Sequence, residues 1–175
     1  MDQVLPPWHG SSPLWMDKKH WECSTGVMAK RTERINKSVK EILEDLLSGH
    51  REAAFSGPAS ALKYLNRTME GQQSLPNGVK AVAFDLMAEA KAQLQDWEGV
   101  EEAVAGFRAN LPALEEAMGH QYRATLEAIT ALERGVQARS ELGDFHGALE
   151  LCEMALELNL GAHWQAKRDS LDWAR

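Results

Sequence analysis

Histidines, cysteines and paired carboxylates are the side chains here from which chemistry could be built. His9, His20 and Cys23 form one cluster of metal-ligating types, with His20 and Cys23 three positions apart. A structural zinc site takes four ligands, and only His9 stands near that pair, so no metal site is expected. Glu101-Glu102 and Glu115-Glu116 offer carboxylates in pairs. Adjacent residues on a helix point in different directions, which makes these solvated faces rather than acid–base dyads. No Ser or Cys has a base partner at motif spacing, and no Gly-rich loop precedes a helix. Cys152 falls on an apolar stripe and reads as a small core residue. His50, His120, His146 and His163 fall near expected helix ends, where terminal carbonyls account for them. The chemistry-bearing residues therefore point to a non-enzymatic protein with no cofactor.

The elements that hold these residues read as helices throughout. The 175 residues are 44% hydrophobic and only 7% aromatic, and they are rich in Ala, Leu and Glu, which lose little on entering a helix. Ile35, Val39, Ile42, Leu43, Leu46 and Leu47 make one apolar stripe, and Gly49 is its expected stop. Pro58 can open a second helix bearing Leu62, Leu65 and Met69. Gly71 to Gly78 reads as the linker. A third helix is expected from Val79 to Leu94, with Ala83, Leu86, Met87, Ala90 and Leu94 inward. A fourth spans Glu98 to Asn110, with Val100, Val104, Phe107 and Leu111 inward. From Pro112 to Leu142 the pattern predicts one long helix, with a break near Gly119. Ala148, Leu149, Cys152, Ala155 and Leu156 line the next, Gly161 closes it, and a last segment bears Trp164, Leu171 and Trp173.

Residues 1–28 differ from all of this. They hold Trp8, Trp15, Trp21, Pro6, Pro7 and Pro13 without helical or strand period, and are expected to be an extended arm. Met28-Ala29-Lys30-Arg31 also has the look of a chain start, which leaves open that part of the arm is a leader, precedes an alternative start or is an addition. Charge is uneven too. Residues 1–80 carry 11 Lys/Arg against 9 Asp/Glu, whereas residues 81–175 carry 8 against 17. An acidic half of this kind disfavours nucleic acid, whose binders neutralise phosphates. Two cysteines 129 positions apart and the lack of a signal sequence predict a cytoplasmic setting. No apolar run is long enough to span a membrane.

Two stretches match each other at an offset of 48. Leu94-Gln95-Asp96-Trp97-Glu98-Gly99-Val100-Glu101-Glu102 aligns with Leu142-Gly143-Asp144-Phe145-His146-Gly147-Ala148-Leu149-Glu150. Each is a helix end, a tight turn with Asp and an aromatic, then a new amphipathic helix, and such units must stack to bury their apolar faces. Over residues 81–175 the chain resembles the tetratricopeptide repeat family, most closely in the run 143–159 with its small residues Ala148 and Ala155. Ala88 and Pro112 also fit the family pattern. Val100, Phe107, Val136 and Leu160 depart from it, and the offset exceeds the family's usual 34.

That resemblance implies an all-α fold of stacked antiparallel helical hairpins, a short α-solenoid preceded by the extended arm. The expected divisions are the arm at 1–28, a helical hairpin at 29–70, and repeats with a capping helix at 79–175. It also implies an adaptor or chaperone that holds a basic or amphipathic segment of another protein in a groove made by the first helices. On the alignment, Asp85, Glu89 and Gln93 of one unit and Glu133, Gln137 and Glu141 of the next face that groove, and the four carboxylates would give it a negative potential. The alternative is a regulator whose basic helix (Lys30, Arg31, Arg34, Lys37, Lys40) contacts nucleic acid while the acidic repeats bind protein. Oligomeric state is left open, with self-association through the arm as one route.

Overall fold

The computed structural model describes residues 38–71 and 75–173. The tryptophan-rich arm, the cluster of His9, His20 and Cys23, and the basic run as far as Lys37 lie outside the described residues. So does Ile35. Among the described residues every regular element is helical. No helix there is long and apolar enough to cross a membrane.

Helix α1 (Val39–Ala54) opens on a capping box: the Ser38 hydroxyl accepts from the Glu41 amide at 3.3 Å, and the Glu41 carboxylate accepts the Ser38 N–H at 2.7 Å. Gly49 does not stop it, contrary to expectation. The Tyr64 ring of α2 (Pro58–Gly71) lies where a Cβ at Gly49 would stand, so this glycine serves close packing. Pro58 does occupy the first position of α2, whose missing donor costs nothing there.

Helices α3 (Asn77–Gln93) and α4 (Trp97–Asn110) come close to their expected bounds. The single long helix expected after Pro112 is instead several pieces. A 3₁₀ turn (Leu111–Ala113) leads into α5 (Leu114–Met118), a second 3₁₀ turn (Gly119–Gln121) into α6 (Tyr122–Ala128), and then comes α7 (Ala131–Glu141). Gly119 breaks the run at φ +52°, as expected. The second break, at extended Ile129, was hidden by continuous periodicity. Helices α8 (Phe145–Glu157) and α9 (His163–Trp173) complete the described fold.

Each long helix packs on the next: α1 on α2, α2 on α3, α3 on α4, α4 on α7, α7 on α8 and α8 on α9. Helix α3 also touches α1, α5 and α7. Its composition explains that central place: Val79, Ala81, Val82, Ala83, Ala88, Ala90 and Ala92 are all buried, so it is apolar nearly all round. Small alanines let five neighbours approach. The main core, with Phe107, Leu114, Leu126, Leu132, Leu151 and Cys152, joins α3 to α9; a smaller one around Leu46, Leu65 and Val79 joins α1, α2 and α3. Leu94, expected inside, caps the end of α3 and is 44% exposed.

Candidate interaction surface

The two matching stretches form the same local machine twice. Asp96 accepts the Gly99 amide at 3.0 Å and Asp144 accepts the Gly147 amide at 2.9 Å, so each aspartate caps the second helix of its pair. The preceding residue turns the chain in the left-handed region, Gln95 at φ +59° and Gly143 at φ +78°. The aspartate amide then returns to a carbonyl in the previous helix, Lys91 in one unit and Arg139 in the other. Those two residues clamp the turn from above. Lys91 reaches Asp96 at 3.9 Å and Glu102 at 3.4 Å; Arg139 reaches Asp144 at 3.5 Å and Glu150 at 3.7 Å. Lys91, Asp96, Gly99 and Glu102 stand 48 positions before Arg139, Asp144, Gly147 and Glu150. A Cβ at Gly99 or Gly147 would meet the ends of the capping carboxylate and the clamping cation, so these glycines leave room for both. Arg139 also bridges to Glu101 of the upstream unit at 3.1 Å, tying the two turns together.

The first helices of these units, α3 and α7, lie against each other and bring most of the expected groove residues together. Glu89 of α3 takes two hydrogen bonds from the Arg134 guanidinium of α7, at 2.6 and 3.2 Å, and one from Gln93 at 2.9 Å. Arg134 also donates to Gln137 at 3.3 Å. Glu133 turns toward α9 and is held by Lys167 at 2.7 Å. Gln93, Gln137 and Glu141 are exposed beside these pairs.

Asp85 is placed differently from the rest. It is buried, and its Oδ1 accepts the amides of Thr130 at 2.8 Å and Ala131 at 2.7 Å, with the Thr130 hydroxyl at 3.3 Å. It thus caps the start of α7 from another helix, giving the amides that follow the break at Ile129 a partner. The expectation of four unopposed carboxylates therefore needs correction. Asp85 is committed to a helix start, Glu89 and Glu133 are neutralised by Arg134 and Lys167, and of the four only Glu141 stands clear.

Ionisation follows these partners. Burial pushes the Asp85 carboxyl above the usual aspartate value; the Thr130 and Ala131 hydrogen bonds work against burial, and the charge of Glu89 adds to it. Burial also pushes Glu89 up, but hydrogen bonds from Arg134 and Gln93 and the charge of Arg134 overcome it, leaving Glu89 below the usual value. The Lys167 hydrogen bond holds Glu133 down.

Sequence reasoning missed Arg134, Lys167, Lys91 and Arg139, the cations that organise the surface. Lys91 and Arg139 were legible, since they share the offset of the aligned turns. Cys152 is buried with its thiol pushed up by burial, which accords with a core role. No group of three or more metal-ligating side chains comes together among the described residues. No family model, curated protein or solved structure matches this chain.

Proposed function

We propose that this protein is a small, non-enzymatic interaction module of tetratricopeptide-like design, an adaptor or chaperone working in the cytoplasm. The α3–α7 face holds a basic or amphipathic segment of a partner protein. One observation carries this reading: the same turn, cap and clamp occur twice, 48 residues apart, on helix pairs whose first members lie side by side. Duplicated hairpins of that kind leave a continuous polar face across their first helices.

The chemistry of that face is not a bare negative field. Fixed acceptors alternate with fixed donors: Glu89 with Arg134, Glu133 with Lys167, and the amides of Gln93 and Gln137 between them. Such a surface selects by hydrogen-bond register, with Glu141 as the free charge drawing a lysine or arginine to one end.

A synthetic helical peptide of leucine and lysine serves as the probe. Gln137→Lys with Glu141→Lys alters the exposed part of the face, keeping the Glu89–Arg134 and Glu133–Lys167 ion pairs and removing only the Gln137 acceptor of Arg134, and should weaken peptide binding by about tenfold or more. The control, Glu115→Lys with Glu116→Lys, changes net charge by more yet lies elsewhere, and should bind as the parent does. Equal losses in both variants would reduce the effect to net charge and remove the α3–α7 face from the account.

A further inference from the structure

Beyond the residues of the α3–α7 face, two exposed regions of the folded unit differ in chemistry. The first is a depression of about 460 Å³ along α2 at the end of α3, floored by Leu62 and the half-exposed Leu94 and edged by Lys63, Arg67, Asn66 and one carboxylate, Glu70. Most described lysines and arginines form ion pairs with a carboxylate, as Lys40, Lys91, Arg123, Arg134, Arg139 and Lys167 do. Lys63 and Arg67 have no such partner among the described residues, although they sit one helical turn apart beside apolar floor.

The second region is on α8 and α9. Helix α8 contains Glu150, Glu153 and Glu157 and no Lys or Arg. Glu153 and Asp172 border one small depression there together with Glu150 and Arg168, and neither Glu153 nor Asp172 is ion-paired among the described residues. Next to Asp172 in the chain, Trp173 is 91% exposed, the largest apolar side chain that the described fold leaves in water.

We infer that a second copy of this chain is the occupant of the α2 depression: Trp173 of one copy seats between Lys63 and Arg67 of another, with Glu153 and Asp172 paired to those cations. The fit is chemical at each point. An indole on an apolar floor beside an arginine gains both burial and cation–π attraction. Glu153 and Asp172, which are not ion-paired among the described residues, meet Lys63 and Arg67, which are not either, so the charges are opposite in sign. Helix α9 packs on α8, whereas the depression is built from α2 and the end of α3, so the contact joins two molecules rather than closing within one. Because the two faces differ, the association is head-to-tail and can continue from copy to copy. One tryptophan and a few charges bury well under the area of a standard interface, so the contact is weak, at roughly 10–100 µM.

Sedimentation velocity on the full chain tests this. In low salt the average sedimentation coefficient should rise across about 10 to 200 µM, and the rise should vanish once salt of about 0.5 M screens the pairs. Lys63→Glu with Arg67→Glu should remain monomeric throughout, as should Glu153→Lys with Asp172→Lys. All four side chains lie on the surface, so both variants should keep the parent's melting temperature, and Trp173→Ala should weaken association at unchanged charge. An equimolar mixture of the two charge-swapped variants should associate again, because the acidic depression of one accepts the basic patch of the other. A parent that stays monomeric, a swap that leaves association intact, or a mixture that stays monomeric would each overturn the inference.

Discussion

Asp85 shows what one buried carboxylate can organise. It lies on the stripe of Glu89 and Gln93, yet its carboxylate starts α7 from 45 residues away. Asp85→Ala should lower stability by about 1–3 kcal/mol, the cost of leaving buried donors without a partner. Asp85→Asn keeps an acceptor and should cost less. Asparagine also separates the cap from its charge. Between the ordinary aspartate value and the raised one, the folded chain binds more protons at Asp85 than the unfolded chain does. Its contribution to stability therefore falls as pH rises through that window and is constant above it. Glu89 and Glu133 act oppositely, stabilising above the ordinary glutamate value and losing that effect as pH falls toward their lowered folded values. Urea unfolding of parent and Asp85→Asn across about pH 4 to 7 isolates the first effect, because the glutamates are common to both. The parent's advantage over the asparagine variant should shrink as pH rises; an advantage that grows would mean that the hydrogen bonds outweigh burial at this site. Sequence alone could not have given this role. An aspartate on a helical stripe looks the same whether it faces water or a distant helix end.

Helices were the most legible level, and their failures have particular causes. The starts at Pro58 and near Val79 and the turns at Asp96 and Asp144 were readable because their signals are local: a proline, a capping aspartate, a left-handed residue. The Ile129 break was not, since the amides after it are held by a tertiary partner while Tyr122, Leu126, Ile129, Leu132 and Val136 keep helical spacing through it. Gly49 misled for a related reason, being a glycine that admits a ring rather than one that ends a helix. Gly135 belongs to the same class. It is buried inside α7, where a Cβ would stand 2.7 Å from Leu151 Cδ1 and 3.1 Å from Val104 Cγ2. Glycine to alanine within an exposed helix gains about 1 kcal/mol. Here the sign should reverse, with Gly135→Ala costing about 1–3 kcal/mol by overpacking the junction of α4, α7 and α8. A thermal melt of that variant above the parent's would mean that these helices are held less closely than described.

On the scale of the whole described fold, each long helix packs on the next and several cations bridge between helices. Arg134 ties α7 to α3, Arg139 ties α7 to α4 and α8, and Lys167 ties α9 to α7. The acidic excess of residues 81–175 is thus partly consumed inside the fold, which composition alone could not reveal. What remains outside on the first helices is the polar face of Gln93, Gln137 and Glu141 beside the Glu89–Arg134 pair. The most direct test of its role is to map a bound peptide by backbone amide shifts in nuclear magnetic resonance. Titrated with the leucine–lysine peptide, the protein should shift amides of residues 88–93 in α3 and 133–141 in α7, while Glu115, Glu116 and α2 stay still. Shifts confined to other helices, with α3 and α7 unmoved at saturation, would contradict the account.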